Sequence, residues 1–107
     1  IARNKMLIDS LRKKLIESQK SQNEIALSTL RLLISEIKNR EISNRAENKE
    51  LVDEDVLKII KKQIKNRNET IPMYEKAGRT ETANQEKAEV EFLQSLIVEF
   101  FPNESGN

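Results

Sequence analysis

The chain has 107 residues, of which 35% are charged and 36% hydrophobic, and its formal net charge is +1. This length suits one domain with a modest buried core, and two glycines and two prolines are too few for a sandwich of short strands. Cysteine and histidine are both absent, which excludes disulfides, thiol nucleophiles and imidazole bases and indicates binding rather than catalysis.

Apolar residues at three- and four-residue steps predict the first two helices. One stripe, from Leu7 to Ile16, predicts a helix over about residues 2–20. A second, from Ile25 to Ile37, predicts a helix over about residues 22–43. The link between them is short, so the two helices are expected to be antiparallel neighbours. Residues 43–50 carry no large apolar side chain and are expected to form an exposed turn.

The third helix is predicted from an acidic start and an apolar stripe. Asp53 suits the N-cap position, and the stripe from Val56 to Ile71 supplies a buried face. Pro72 lacks an amide hydrogen and crowds the residue before it, which predicts a kink or a break at this point. Gly78 is the expected left-handed stop.

A fourth helix is predicted over about residues 80–101, and Pro102 ends it. The last residues, 103–107, are expected to be disordered. The predicted fold class is therefore all-α: a small bundle of about four helices with antiparallel neighbours, forming one domain over residues 1–102. No apolar run approaches the roughly 20 residues that a membrane span needs, so membrane insertion is not expected.

The third helix carries a run of cations with no acidic residue between Asp55 and Glu69. Lys58, Lys62 and Lys65 share one helical face and could follow a phosphate backbone, which makes the face a candidate for RNA binding. The alternative is that these cations are solvated or pair with the acidic fourth helix. The full run is Lys58, Lys61, Lys62, Lys65 and Arg67.

Aromatic residues offer two further candidates. Tyr74, close in sequence to Arg67, Lys76 and Arg79, is a candidate for base stacking or for contact with a partner, although packing in the core or at the hinge is the favoured interpretation. The adjacent rings Phe100 and Phe101 cannot both lie on one buried stripe, so one is expected to face a partner or a continuation of the chain.

The arrangement of the acidic residues gives no indication of a catalytic, cofactor-binding or metal site, and none is predicted. Asp53, Glu54 and Asp55 stand where helix caps stand. Glu86 and Glu89 lie one turn apart but lack the histidine of a di-iron motif. No glycine-rich phosphate loop is present, so no small-molecule substrate is predicted.

Several segments resemble the GatB/YqeY domain family over nearly the whole chain. The most specific runs from Tyr74 through the sequence Glu-Lys-Ala-Gly to Arg79. The remaining segments are Leu30-Arg31-Leu32-Leu33, Val56-Leu57, Arg67-Asn68-Glu69-Thr70-Ile71, and the spacing of Ala83, Glu86, Glu89 and Leu93.

The resemblance implies a helical module that occurs alone in YqeY-like proteins, at the end of the B subunit of the tRNA-dependent amidotransferase, and on some glutaminyl-tRNA synthetases. Such modules contact tRNA while the chemistry resides elsewhere. Carried over by position, Arg67, Lys76 and Arg79 are the expected RNA contacts, with Lys58 to Lys65 in support. The smaller helical subdomain that follows in the family, after a Leu-Pro hinge, is not expected here, because Ile97-Val98 continue into Glu99-Phe100-Phe101-Pro102 instead of such a hinge.

Two functions stay open at this stage. One is a non-catalytic module of tRNA aminoacylation, amidation or translation that contacts proteins and tRNA. The other is a stoichiometric structural subunit of a larger organellar or bacterial complex with no RNA role, anchored through Phe100 and Phe101. A protein partner is expected in both cases, in the mitochondrial matrix or the bacterial cytoplasm.

Overall fold

All regular structure in the described part of the chain is helical. The computed structural model describes residues 2–104, with side chains from Met6 onward. Its elements are α1 (Ala2–Lys20), α2 (Glu24–Ala46), α3 (Asp53–Lys76) and α4 (Thr80–Phe100). The prediction of an all-α fold with four helices is confirmed. The chain divides into two compact units at Ile59, within α3.

The first unit is built on α1 and α2, which pack against each other as antiparallel neighbours. Leu7 and Leu11 supply the buried positions of α1, and Leu30, Leu33 and Ile37 supply those of α2. These residues recur at three- and four-residue steps, so one side of each helix is removed from water. The predicted stripes are therefore the buried faces, except at Ile16, which is 52% exposed and does not belong to the buried face of α1.

The second unit pairs the remainder of α3 with α4. Its core contains Ile71, Ala83 and Val90, against which Ile64 and Tyr74 pack. Leu93 and Leu96 of α4 are also fully buried. The chain turns sharply between the two helices, so α3 and α4 run antiparallel.

Each of the three connections between the described helices begins with a Schellman motif, in which the second residue after the helix adopts a left-handed conformation. The residues and their φ angles are Gln22 (59°), Asn48 (58°) and Gly78 (76°). In each case the following amide donates to a carbonyl five residues earlier: Asn23 to Ser18 (2.9 Å), Lys49 to Asn44 (2.8 Å) and Arg79 to Tyr74 (2.8 Å). The predicted stop at Gly78 is confirmed.

Side-chain caps fix the starts of α2 and α3. The Oδ1 atom of Asn23 accepts from the amide of Ala26 at 3.1 Å. The amide of Val52 donates to the Asp55 carboxylate at 3.0 Å, and the amide of Asp55 donates back to the Val52 carbonyl at 2.9 Å. Since α3 begins at Asp53, the prediction of Asp53 as N-cap is wrong by one residue, and Asp55 supplies the capping carboxylate.

α3 runs unbroken through Pro72 to Lys76, so of the two predicted outcomes a break does not occur and a bend stays a prediction. α2 extends to Ala46, three residues beyond its predicted end at 43. After Phe101, residues 102–104 form a turn in which the Glu104 amide donates to the Phe101 carbonyl at 2.9 Å. The rest of the predicted disordered tail, 105–107, lies outside the described residues.

Candidate nucleic-acid interface

The main cationic surface of the second unit lies on α3. Lys61, Lys62 and Lys65 are all exposed there. Lys62 and Lys65 are three residues apart, which places them on one face with an axial spacing of about 4.5 Å. The ammonium group of Lys61 lies 3.5 Å from the carboxylate of Glu104. Lys58, the remaining lysine of the predicted stripe, is also exposed but belongs to the first unit.

A second pair of cations, Lys76 and Arg79, stands at the end of α3. Both are exposed, and Lys76 lies about 16 Å along the helix axis from Lys65. Glu69 is exposed on the same face between these two lysines, at helical spacing from each. The cationic surface is therefore divided by one carboxylate.

Tyr74 lies partly buried against the core of the second unit. The guanidinium carbon of Arg79 lies 5.5 Å from its ring centroid, within the range of a cation–π contact. The ring thus packs against the core and also contacts Arg79, which lies in the connection between α3 and α4. Of the interpretations that the sequence leaves open, this geometry favours packing over base stacking.

Arg67 is turned away from the other cations. Its Nε atom donates to Oε1 of Glu89 at 3.0 Å, and one terminal nitrogen donates to the backbone carbonyl of Gln63 at 3.3 Å. Both charged side chains of the pair are almost completely buried. The structure therefore places Arg67 inside the second unit, whereas Lys62, Lys65, Lys76 and Arg79 are exposed.

The ion pair belongs to a larger set of polar side chains, here called the polar cluster. The Thr70 hydroxyl contacts the Glu86 carboxylate, and Nε2 of Gln85 donates to Glu89 at 3.4 Å. Gln63 is only 2% exposed, and both polar atoms of its side-chain amide are buried without a hydrogen-bond partner among the described residues. The members are Gln63, Arg67, Thr70, Gln85, Glu86 and Glu89.

The sequence contained a signal for this cluster that the charge pattern obscured. Arg67 stands three residues after Ile64 and four before Ile71, on the apolar stripe of α3. Glu86 likewise stands three residues after Ala83, on the buried side of α4. Polar residues at buried-stripe positions on both helices indicate mutual pairing rather than exposure.

The two terminal aromatics are both partly buried, Phe100 at the end of α4 and Phe101 just beyond it. The amide of Phe101 donates to the carbonyl of Ile97 at 2.8 Å, which closes the helix. Neither ring is fully exposed, so the structure singles out neither of them as the one that faces a partner.

The described residues hold no cluster of three or more acidic, cysteine or histidine side chains suited to a metal ion. None of the four helices described combines the length and the apolar content that crossing a membrane requires. The second unit thus combines the exposed cations of α3 with a buried polar cluster between α3 and α4.

Comparison with known proteins places these features in a family. A family model described as Yqey-like protein matches residues 8–105. An uncharacterized protein of Schizosaccharomyces pombe is 36% identical over 93 residues, which cover 87% of this chain and 73% of that protein.

Proposed function

The chain belongs to the YqeY-like family, and from this premise we propose that it is a non-catalytic helical module of tRNA aminoacylation, amidation or translation that contacts RNA through α3. The resemblance to the GatB/YqeY domain supports a role in tRNA-dependent processes, since modules of that kind are appended to enzymes that handle tRNA. The exposed cations of α3 support direct contact with RNA.

The observation that carries the proposal is the exposure of Lys62 and Lys65 on a helix segment without acidic residues between Asp55 and Glu69. A lysine ammonium that neutralises a phosphate releases a condensed counterion, so binding to RNA gains free energy at low salt. Lys76 and Arg79 extend the same surface toward the end of α3, beyond Glu69. The proposed RNA contacts are therefore Lys62, Lys65, Lys76 and Arg79.

Two features support a non-catalytic role. The chain has neither histidine nor cysteine, so general base and nucleophile would have to come from weaker candidates. Glu86 and Glu89, the carboxylates one turn apart on α4, are engaged by Thr70 and Arg67. Their arrangement supports a structural rather than a catalytic use.

Binding of unfractionated tRNA, measured by fluorescence anisotropy across a salt series, tests the proposal. The variant Lys62→Gln/Lys65→Gln/Lys76→Gln should reduce the slope of log affinity against log salt by about 2–3, because each lost phosphate contact contributes roughly 0.7–0.9. A matched control removes three exposed cations of α1 in the first unit, Arg12, Lys13 and Lys20, and should leave the slope nearly unchanged.

Arg67 is left intact in this design because its loss would disturb the polar cluster rather than the surface. Absence of tRNA binding at low salt, or equal loss in both triple variants, would contradict the RNA contact. In that case a partner that co-purifies at fixed stoichiometry would favour the alternative, a structural subunit of a larger complex.

A further inference from the structure

The outer side of α2, in the first unit, carries an uncharged stripe. Its members recur at alternating steps of three and four residues, and every one of them is exposed: Ser28, Leu32, Ser35, Asn39, Ile42 and Ala46. Charged residues make up 35% of the chain, so six uncharged positions in succession on a solvent-facing side are unusual for it. The lysine surface of the second unit has no part in this stripe.

The spacing is that of the contact seam of a coiled coil, in which alternating steps of three and four residues face a partner helix. Two large apolar side chains lie on the seam, Leu32 with 46% and Ile42 with 63% of their surface exposed. Asn39 lies between them at a seam position, and a single asparagine there is known to fix the register of paired helices.

The fold itself does not use these side chains. α2 meets the core through its opposite side, where Leu30, Leu33 and Ile37 are buried. Leu32 and Ile42 therefore add apolar surface that stays in contact with water in the isolated chain. A partner helix that covers the seam would remove this surface from water.

The charges along the two edges of the stripe differ. Arg31, Lys38 and Arg45 follow each other at seven-residue intervals along one edge, and all three are exposed. The other edge carries Thr29, Glu36 and Ser43 at the corresponding positions, of which Thr29 is buried and Glu36 is partly buried. Edge residues of this kind form ion pairs with the partner helix and so determine which partner is accepted.

We propose that the uncharged stripe of α2 is a docking site for an acidic amphipathic helix of another protein. A second copy of the chain fits less well, because antiparallel pairing would set Arg31, Lys38 and Arg45 against the same cations. Parallel pairing would bring only Arg31 opposite an acidic residue, Glu36. RNA fits less well because the stripe is uncharged along its whole length and offers phosphates no charge.

Two fluorescein-labelled helical peptides of about three heptads probe the site. Both carry Ile and Leu at the seam positions, and they differ only in having Glu or Lys at every edge position, which also keeps each from pairing with itself. Anisotropy with the full chain should show the acidic peptide binding at least about tenfold more tightly than the basic one.

Two variants then separate the apolar and the charged contributions. Leu32→Ser/Ile42→Ser should weaken binding of the acidic peptide about tenfold or more, and Arg31→Gln/Lys38→Gln/Arg45→Gln should remove the preference for it. Met73→Ser/Val98→Ser changes two equally exposed apolar residues of the second unit and should leave binding unchanged. Circular dichroism of each variant verifies that the helices are retained.

Failure of the acidic peptide to bind, or equal affinity for the two peptides, would overturn the proposal. Self-association of the chain that Ile42→Ser abolishes, measured by sedimentation, would assign the stripe to a second copy instead. Loss of tRNA binding in the edge variant, with no effect of the Leu32/Ile42 variant on either ligand, would assign the edge to RNA. The peptide measurements do not test the lysine surface of α3, so their failure is distinguishable from failure of the proposed RNA contact.

Discussion

Replacement of Arg67 by methionine should destabilise the chain far more than removal of a shorter ion pair on its surface. Methionine matches the length of the arginine stem, so the change removes the charge without leaving a large cavity. Glu89 would then keep its carboxylate buried, with the long 3.4 Å hydrogen bond from Nε2 of Gln85 in place of the arginine. Loss of one member of a buried pair typically costs roughly 3–5 kcal/mol, and we expect about 3 kcal/mol here.

The pair between Lys87 and Glu75 provides the control. Its 2.8 Å separation is shorter than the 3.0 Å between Arg67 and Glu89. Its side chains are 51% and 47% exposed, however, against 11% and 12% for the buried pair. Water screens the exposed charges and solvates whichever one is left behind, so Lys87→Met should cost no more than about 0.5 kcal/mol.

Urea unfolding followed by far-ultraviolet circular dichroism measures both changes, provided that the slopes with denaturant agree between variants. The double variant Arg67→Met/Glu89→Met should recover most of the lost stability, because it removes the uncompensated charge along with its partner. The conclusion is that burial, and not the distance between the charges, determines how much stability an ion pair contributes. It would be refuted if Arg67→Met and Lys87→Met lowered the free energy of unfolding equally, or if the double variant were no more stable than Arg67→Met.

Three further substitutions test the helix ends and the core. Gln22→Gly should raise the free energy of unfolding in urea by roughly 0.5–1 kcal/mol, since glycine adopts the left-handed conformation without strain. No gain in stability would show that the φ of 59° does not strain Gln22. Gly78→Ala should cost about 1 kcal/mol through the same strain alone, because a Cβ there would meet no atom within 4 Å; a much larger loss in thermal melts would indicate a packing role. Leu93→Ala should cost about 3 kcal/mol, as Leu93 is fully buried; a loss below 1 kcal/mol would mean that the site collapses around the smaller residue.

The helices could be predicted from the sequence because the residues that each helix buries repeat at helical spacing within a short stretch of chain. Leu7 and Leu11 of α1, like Leu30 and Leu33 of α2, repeat at helical spacing and are buried as predicted. The predicted end of α2 is three residues too early, because its last turn up to Ala46 carries no large apolar side chain that would indicate a helix. Periodicity reports only on turns that bury a face.

The candidate site was predictable only in part. The exposure of Lys62 and Lys65 follows from their position opposite the apolar stripe of α3. The inward turn of Arg67 does not, because its partner Glu89 is 22 residues away and the register between α3 and α4 determines which carboxylate it meets. The charge run in the sequence grouped Arg67 with lysines that the helix separates from it.

Pro72 shows a different limit of sequence rules. The proline removes the hydrogen bond to the carbonyl of Asn68, which predicts a disturbed helix. Both residues are exposed, however, so that carbonyl can bond to water, and the helix needs only one more turn to reach Lys76. The helix therefore tolerates the lost hydrogen bond at this exposed position, whereas a buried carbonyl would be left without a partner.

Tyr74 gives the chain a built-in optical reporter. It is the one tyrosine in a sequence without tryptophan, so near-ultraviolet excitation yields emission that originates almost entirely from the second unit. Its ring is packed against that unit's core beneath the guanidinium of Arg79, so its intensity should respond when this core opens. Circular dichroism averages over all four helices, and comparing the two signals across one titration would reveal whether the halves of the molecule melt together or in sequence.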